Sequence, residues 1–242
     1  MKLEIPVKLA LAAVLAGIAV FAVVMLNGIT PAGAVEPAFH FFRCESVTAG
    51  TGKYRFGCLA KEFPFDYERP AIGSVPETIK TVSLGTFELE ATIAGQTLLV
   101  SCSKETGTGV GKNPEPFKST NGEGEATLTF EGCTVAKLSA CVIPGKKFVT
   151  SKLHEAVEES KTLGVGVKFS PASGTTFATI ILGEECALGN EVIVQGSDFG
   201  LVGEKGLEFT NASSSLTAGT KEAKLRGALK QENEKGIFVT VG

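Results

Sequence analysis

Alternating apolar and polar residues form the clearest pattern in the chain. Residues 86–93 read Thr-Phe-Glu-Leu-Glu-Ala-Thr-Ile, residues 97–102 resume the alternation and end in Cys102, and residues 125–130 alternate again just before Cys133. Successive side chains of a strand point to opposite faces, so a period of two is typical of a half-buried strand. The pattern therefore predicts a sheet whose strands lead into cysteines.

The second half of the chain is less regular. Strands are predicted over 163–169, 177–182, 192–194, 207–209 and 237–241. Lys147 to Thr162 is the most helix-compatible stretch, Ala223 to Lys230 fits a strand or a short helix, and Lys104 to Gly124 is predicted to be a long loop because it is rich in Gly, Lys and Pro. Turns therefore separate many short elements.

Strands with one apolar face must bury that face against a second layer. We therefore predict an all-β fold, a disulfide-stapled antiparallel β-sandwich or barrel-like domain over residues 81–242. The core residues expected from the alternation are Phe87, Leu89, Leu128, Phe130, Val165, Val167 and Phe177.

The first 34 residues predict export. Lys2 and Lys8 precede an apolar run from Leu9 to Leu26, and small residues follow up to Ala34. This favours a secretory signal peptide over residues 1–34, cut so that the mature chain begins at Val35. A retained membrane anchor is the rival interpretation, since 18 apolar residues approach the length that spans a bilayer.

Composition narrows the function classes. The net charge is −3, and loss of residues 1–34 makes it about −4, so no basic surface suggests nucleic acid. The chain has 29 Gly, two His and no Trp, which describes a turn-rich β protein with few of the usual catalytic side chains. We expect no cofactor, no metal and no catalytic residues, and an enzyme is the less favoured reading.

Six cysteines in an exported chain, with no Cys-x-x-Cys, indicate disulfides. Spacing suggests that Cys44 pairs with Cys58 and Cys133 with Cys141, which leaves Cys102 with Cys186.

Residues 35–80 are predicted to form a disulfide-containing arm rich in aromatic residues and proline. Phe63, Phe65 and Tyr67 lie among prolines that exclude a central strand. They are either an exposed contact surface for a partner or part of a plug laid over the edge or end of the sheet.

Three short motifs resemble catalytic signatures incompletely. Residues 107–113 are one residue short of a phosphate loop, Asp198-Phe199-Gly200 lacks every other kinase motif, and His154-Glu155-x-x-Glu158 lacks the second zinc-binding histidine. The many glutamates leave open an exported, glycosidase-like hydrolase that uses two facing carboxylates.

An ordered series of segments resembles a known group of proteins. It includes Val100-Ser101-Cys102, residues 129–134, residues 165–171, residues 174–178 and residues 192–197. Together they resemble a group of uncharacterised secreted proteins of soil actinobacteria over about residues 84–210. The resemblance implies export and β structure and carries over no site residues; this chain departs from it at 147–160, where a Gly-containing strand pair is expected.

The favoured function is therefore a secreted or cell-surface, non-enzymatic β module. It would act by binding a cell-envelope component or by self-association, with membrane contact only through the N-terminal segment before cleavage. The arm and the loop from Lys104 to Gly124 are the expected contact regions, because loops on a rigid scaffold commonly carry function.

Overall fold

The computed structural model describes residues 39–54, 58, 61–115, 120–136, 138–203 and 206–231, without the side chains of 61–63 and 231. The predicted signal peptide, the Phe63 side chain and the predicted strand over 237–241 lie outside the described residues. Within them, the chain is all β apart from one 3-10 turn, Pro144–Lys146.

The arm contains a small antiparallel sheet in the order β1-β4-β2-β3. Its strands are β1 (Glu45–Ser46), β2 (Gly52–Tyr54), β3 (Lys61–Phe65) and β4 (Tyr67–Glu68). The Cys44–Cys58 disulfide, predicted from spacing, is confirmed here.

Twelve further strands form the main antiparallel sheet. They are β5 (Glu77–Ser83), β6 (Phe87–Ile93), β7 (Gln96–Lys112), β8 (Glu123–Ala136), β9 (Lys147–Val149), β10 (Leu153–Ser160), β11 (Gly164–Pro171), β12 (Thr176–Ile181), β13 (Glu191–Gly203), β14 (Gly206–Phe209), β15 (Ser215–Ala218) and β16 (Lys221–Gln231). The predicted fold, a disulfide-stapled, all-β, antiparallel β-sandwich or barrel-like domain, is confirmed.

The strand pairings close into two rings. The first ring runs β5-β7-β8-β10-β11-β13-β14-β16 and returns to β5. The second runs β6-β7-β8-β9-β12-β13-β15-β16 and returns to β6, with a single Thr150–Ala178 bridge joining the β9 and β12 sides. Four long strands, β7, β8, β13 and β16, therefore belong to both rings.

Three of the long strands contain a glycine with a positive φ value, and in β13 and β16 that glycine lies where the strand passes from one ring to the other. Gly132 in β8, Gly196 in β13 and Gly227 in β16 have φ values of 62°, 100° and 155°, a region that L side chains disfavour. A Cβ at Gly227 would lie 2.6 Å from the ring of Phe87, so that ring packs directly on the β16 backbone.

A chain of phenylalanines joins the interiors of the two rings. Phe148 stacks on Phe130 at 4.6 Å, Phe130 meets Phe87 edge-on at 5.6 Å, and Phe209 links Phe87 to Phe169. The side chains of all five phenylalanines are buried. The predicted core residues are buried as expected, except that Val165 is only half-buried.

Two predicted disulfides are wrong. Cys102 lies directly opposite Cys133 in the β7–β8 pair, and these two residues are bonded. Cys141 bonds Cys186 instead, because the Val142 amide donates to the Leu182 carbonyl and brings the two segments together. Spacing along the chain could not reveal either pairing, since both depend on strand register.

The predicted loop from Lys104 to Gly124 is also wrong over most of its length. β7 continues to Lys112 and β8 begins at Glu123. Gly107, Gly109 and Gly111 are paired residues of β7, and a Cβ at each would come within 3 Å of a neighbouring strand's atoms. These glycines permit close packing inside a sheet, whereas the abundance of Gly, Lys and Pro in this stretch predicts a long loop.

The helix-compatible stretch from Lys147 to Thr162 forms strands β9 and β10. In β10, Leu153, Glu155 and Val157 are buried and the residues between them are half-buried, which is strand alternation with a glutamate at an inward position. Ala223 to Lys230 is part of β16, so the strand alternative is confirmed there.

The arm is docked on the first ring by Asn113. The Asn113 side chain is fully buried; its Oδ1 accepts from the Phe41 amide at 2.8 Å, and its Nδ2 donates to the carbonyls of Phe41 and Ile72 at 2.7 and 2.9 Å. The Phe41 ring lies close to Gly111 and Gly122 and belongs to the main core cluster. This part of the arm is therefore a plug.

Candidate functional site

The predicted contact residues lie on the small sheet of the arm. Phe65 and Tyr67 are both half-buried. Their exposure is therefore intermediate between the two alternatives that the sequence leaves open, an exposed contact surface and a buried plug. Close to them, the guanidinium of Arg69 lies 4.5 Å from the centre of the Phe42 ring and 5.1 Å from that of Tyr54. The aromatic side chains of the arm thus help to order the arm itself, and their role as a contact surface stays a prediction.

Three acidic side chains that the sequence analysis did not single out as buried lie in the core. Glu105 is 0%, Asp198 1% and Glu155 8% exposed. Burial raises the pKa of each carboxyl to about 8, because the charged form loses its hydration. These groups are consequently mostly protonated at neutral pH.

Glu105 is held by β7 beside polar atoms that lack partners. Its backbone amide donates to Ser83 Oγ at 3.0 Å, while both carboxyl oxygens have no hydrogen-bond partner among the described residues. The Thr81 hydroxyl, also without a partner in that part of the chain, lies with the Glu105 carboxyl around Gly107. Burial alone accounts for the raised pKa of Glu105.

Glu155 and Asp198 lie in one row across three strands. Phe169 of β11 is directly opposite Glu155 of β10 on one side and Asp198 of β13 on the other. Strands are spaced about 4.8 Å apart, so the two Cα atoms are separated by about 10 Å, with the buried Phe169 between them. The hydrolase hypothesis needs two carboxylates that face each other across an open cleft, which this row does not supply.

The three incomplete catalytic motifs all fall on strands. Residues 107–112 of the incomplete phosphate-loop motif belong to β7, and the side chain of Asn113 is hydrogen-bonded to the arm. His154 and Glu155 of β10 point to opposite faces: His154 is half-exposed, with Nε2 3.9 Å from Glu123 Oε2, whereas Glu155 is buried. The described residues contain no group of three or more potential metal ligands.

An exposed apolar face lies on the outside of the second ring, on β9, β12 and β13. Val149, Ile181 and Ile193 are 40%, 46% and 43% exposed. Thr179 lies directly opposite Ile193, and the Thr150–Ala178 bridge brings Val149 to the other side of Thr179. The three side chains form one surface, which we call the β9–β12–β13 face.

The sequence predictions miss both features, for two different reasons. Glu155 falls in the stretch from Lys147 to Thr162 that is predicted to be helix-compatible, and the predicted strands over 177–182 and 192–194 are too uniformly apolar to show which side chains face outward. An alternation search over 153–157 would have found Glu155.

Comparison with protein families, with curated proteins and with solved structures found no match to this chain. Among the described residues, no helix is long and apolar enough to cross a membrane. The three disulfides fit an oxidising, extracytoplasmic compartment.

Proposed function

We propose that the protein is a non-enzymatic, secreted or cell-surface β module that acts at the cell envelope by associating with further copies of itself. The exposed apolar β9–β12–β13 face carries this proposal. Adjacent exposed apolar side chains on a rigid sheet are a common mark of an interaction surface, and the two rings beneath provide a scaffold that keeps them in register.

The charges around the face support a second copy as the partner. Glu191 lies directly opposite Ile181 on the β13 side of the face, and Lys147 begins β9 on the other side, where its Nζ lies 3.3 Å from Glu131 Oε1. Rotation by 180° about an axis through the centre of the face exchanges these two sides. Lys147 of one copy, besides pairing with its own Glu131, would then approach Glu191 of the other, and the same contact would repeat at the symmetry-related position.

Sedimentation equilibrium of residues 35–242 tests the proposal. At about 0.1 mM, an association worth about −5.5 kcal/mol is half complete, so even a modest dimer is visible. Replacing Ile193 with Lys should weaken it at least about tenfold, because it removes an apolar contact and buries a charge. Val75→Lys is the matched control, since Val75 is 74% exposed and lies outside the face.

Charge reversal gives a second test. Glu191→Lys should weaken association by placing two lysines together, and adding Lys147→Glu should restore it; urea unfolding of the double variant measures the separate cost of losing the Lys147–Glu131 ion pair. A wild-type chain that stays monomeric at this concentration, or a Val75→Lys variant that loses as much association as Ile193→Lys, would contradict the proposal.

A further inference from the structure

A polar groove lies on the first ring, where strands β10, β11 and β13 meet the turn that follows β14. Its volume is about 280 Å³. Five hydroxyl side chains line it, those of Ser160, Thr162, Ser197, Ser213 and Ser215. None of its residues belongs to the β9–β12–β13 face, so the groove is separate from the self-association surface.

The wall of the groove is held in a fixed shape by local hydrogen bonds. Ser213 closes the turn: its Oγ accepts from the Thr210 amide at 2.9 Å and donates to the Thr210 carbonyl at 2.8 Å. Elsewhere in the lining, the hydroxyls of Ser160 and Thr162 lie 3.3 Å apart. Binding to such a preorganised surface loses less conformational entropy than binding to a mobile loop.

Asp198 adds a buried polar group to the groove lining. Its Oδ1 accepts from the Phe199 amide at 2.8 Å, and Ser213 lies within hydrogen-bonding reach of the carboxyl. Its Oδ2 has no hydrogen-bond partner in the described part of the chain. Buried polar atoms are normally paired, so this unpaired oxygen is unusual. The pairing of Asp198 with Phe169, however, places Asp198 on the inward side of β13, so the groove must bind through its other polar groups.

The charges of the groove lining cancel. Besides Asp198, the ionisable side chains that line the groove are Lys168 and Glu158. They form an ion pair, with Lys168 Nζ 3.8 Å from Glu158 Oε1. Burial raises the pKa of Asp198 to about 8, so this acid is mostly neutral at pH 7. A charged ligand, such as a phosphate or a metal ion, would find no unpaired countercharge here.

We propose that this groove binds the ring of a neutral sugar, presented by a glycan of the cell envelope. The serine and threonine hydroxyls and the Lys168–Glu158 ion pair offer hydrogen-bond donors and acceptors to a ligand that itself carries hydroxyl groups. The half-buried Leu163 and the exposed edge of Phe199, whose ring is otherwise buried against Gly166, supply a small apolar surface for the C–H groups of such a ring. The volume lies near the lower limit of small-ligand pockets, about 300 Å³, which suits one ring rather than a chain of them.

Amide chemical-shift mapping of residues 35–242 tests the inference. The probes are glucose and N-acetylglucosamine as neutral sugars, and glucuronate and glucosamine as charged analogues of similar size. We expect the neutral sugars to shift the amides of Ser197, Phe199 and Ser213 with a dissociation constant of about 1 mM, the weak affinity expected of a ligand with only about 12 to 15 heavy atoms. Soluble oligosaccharides of the same sugars distinguish a glycan from a free sugar as the source.

The double variant Thr162→Val with Ser197→Ala removes two hydroxyls and should weaken binding about tenfold. Thr92→Val is the control, because Thr92 is an exposed residue of β6 away from the groove. Shifts confined to the groove and lost only in the double variant support the inference. Absence of shifts with every probe, equal or stronger binding of the charged analogues, or equal loss in the control would overturn it, and none of these results depends on whether the protein self-associates.

Discussion

Replacing Glu105 with Gln should make the stability of the protein less sensitive to alkaline pH. Glu105 is fully buried, and burial raises the pKa of its carboxyl from 4.5 to about 8. Gln has nearly the same shape and cannot ionise. The substitution therefore removes the cost of ionising a buried acid while leaving the packing around Gly107 and Thr81 almost unchanged.

The sign follows from proton binding. Between pH 4.5 and 8 the unfolded chain releases this proton while the folded chain keeps it, so the free energy of unfolding falls by about 1.4 kcal/mol for each pH unit. Below pH 4.5 both states are protonated, and above pH 8 both are ionised, so the loss is complete there. A shift of about 3.5 pKa units corresponds to a total loss on the order of 4 to 5 kcal/mol.

Urea unfolding at pH 5, 6, 7 and 8, followed by circular dichroism with the disulfides intact, measures this loss. Wild-type and Glu105→Gln proteins should be similar near pH 5, and the variant should be more stable by roughly 4 kcal/mol at pH 8. Glu185→Gln, at an exposed position, is the control and should follow the wild type. If the difference between Glu105→Gln and the wild type stays constant from pH 5 to 8, Glu105 does not bind a proton on folding and the reasoning is refuted.

Further predictions concern the packing and processing of the chain. Asn113→Ala should lower the free energy of unfolding by about 3 kcal/mol, because three buried hydrogen bonds are lost; urea unfolding measures it, with the exposed Asn211→Ala as control. Gly227→Ala should cost about 1 to 3 kcal/mol, because its Cβ would overlap the ring of Phe87, and an unchanged urea midpoint would contradict that packing. Peptide mapping without reductant should recover the three disulfide pairs described above, and any other pairing would count against the strand register. Intact mass of exported protein should show a chain that begins at Val35, whereas a mass that includes residues 1–34 would favour the anchor.

The sequence by itself determined the fold class and much of the core. Strict alternation around Phe87, Leu89, Leu128 and Phe130 defines a strand face without knowledge of its partners, because the period of two is a local property of extended backbone. The Cys44–Cys58 disulfide could also be predicted from the sequence, because its two cysteines are close along the chain and the bond closes a short segment of the arm.

Only the tertiary structure decided which strands become neighbours, and with them the disulfides and the candidate sites. Cys102 meets Cys133 because β7 and β8 pair in one particular register. The glycines at 107, 109 and 111 predict a loop when the sequence is considered alone, and only the neighbouring strands show that they are needed for close packing in the sheet. Glu155 is inward because β10 lies between β8 and β11. The hydroxyl groove and the β9–β12–β13 face likewise combine residues distant in sequence, so their chemistry exists only once the two rings have closed.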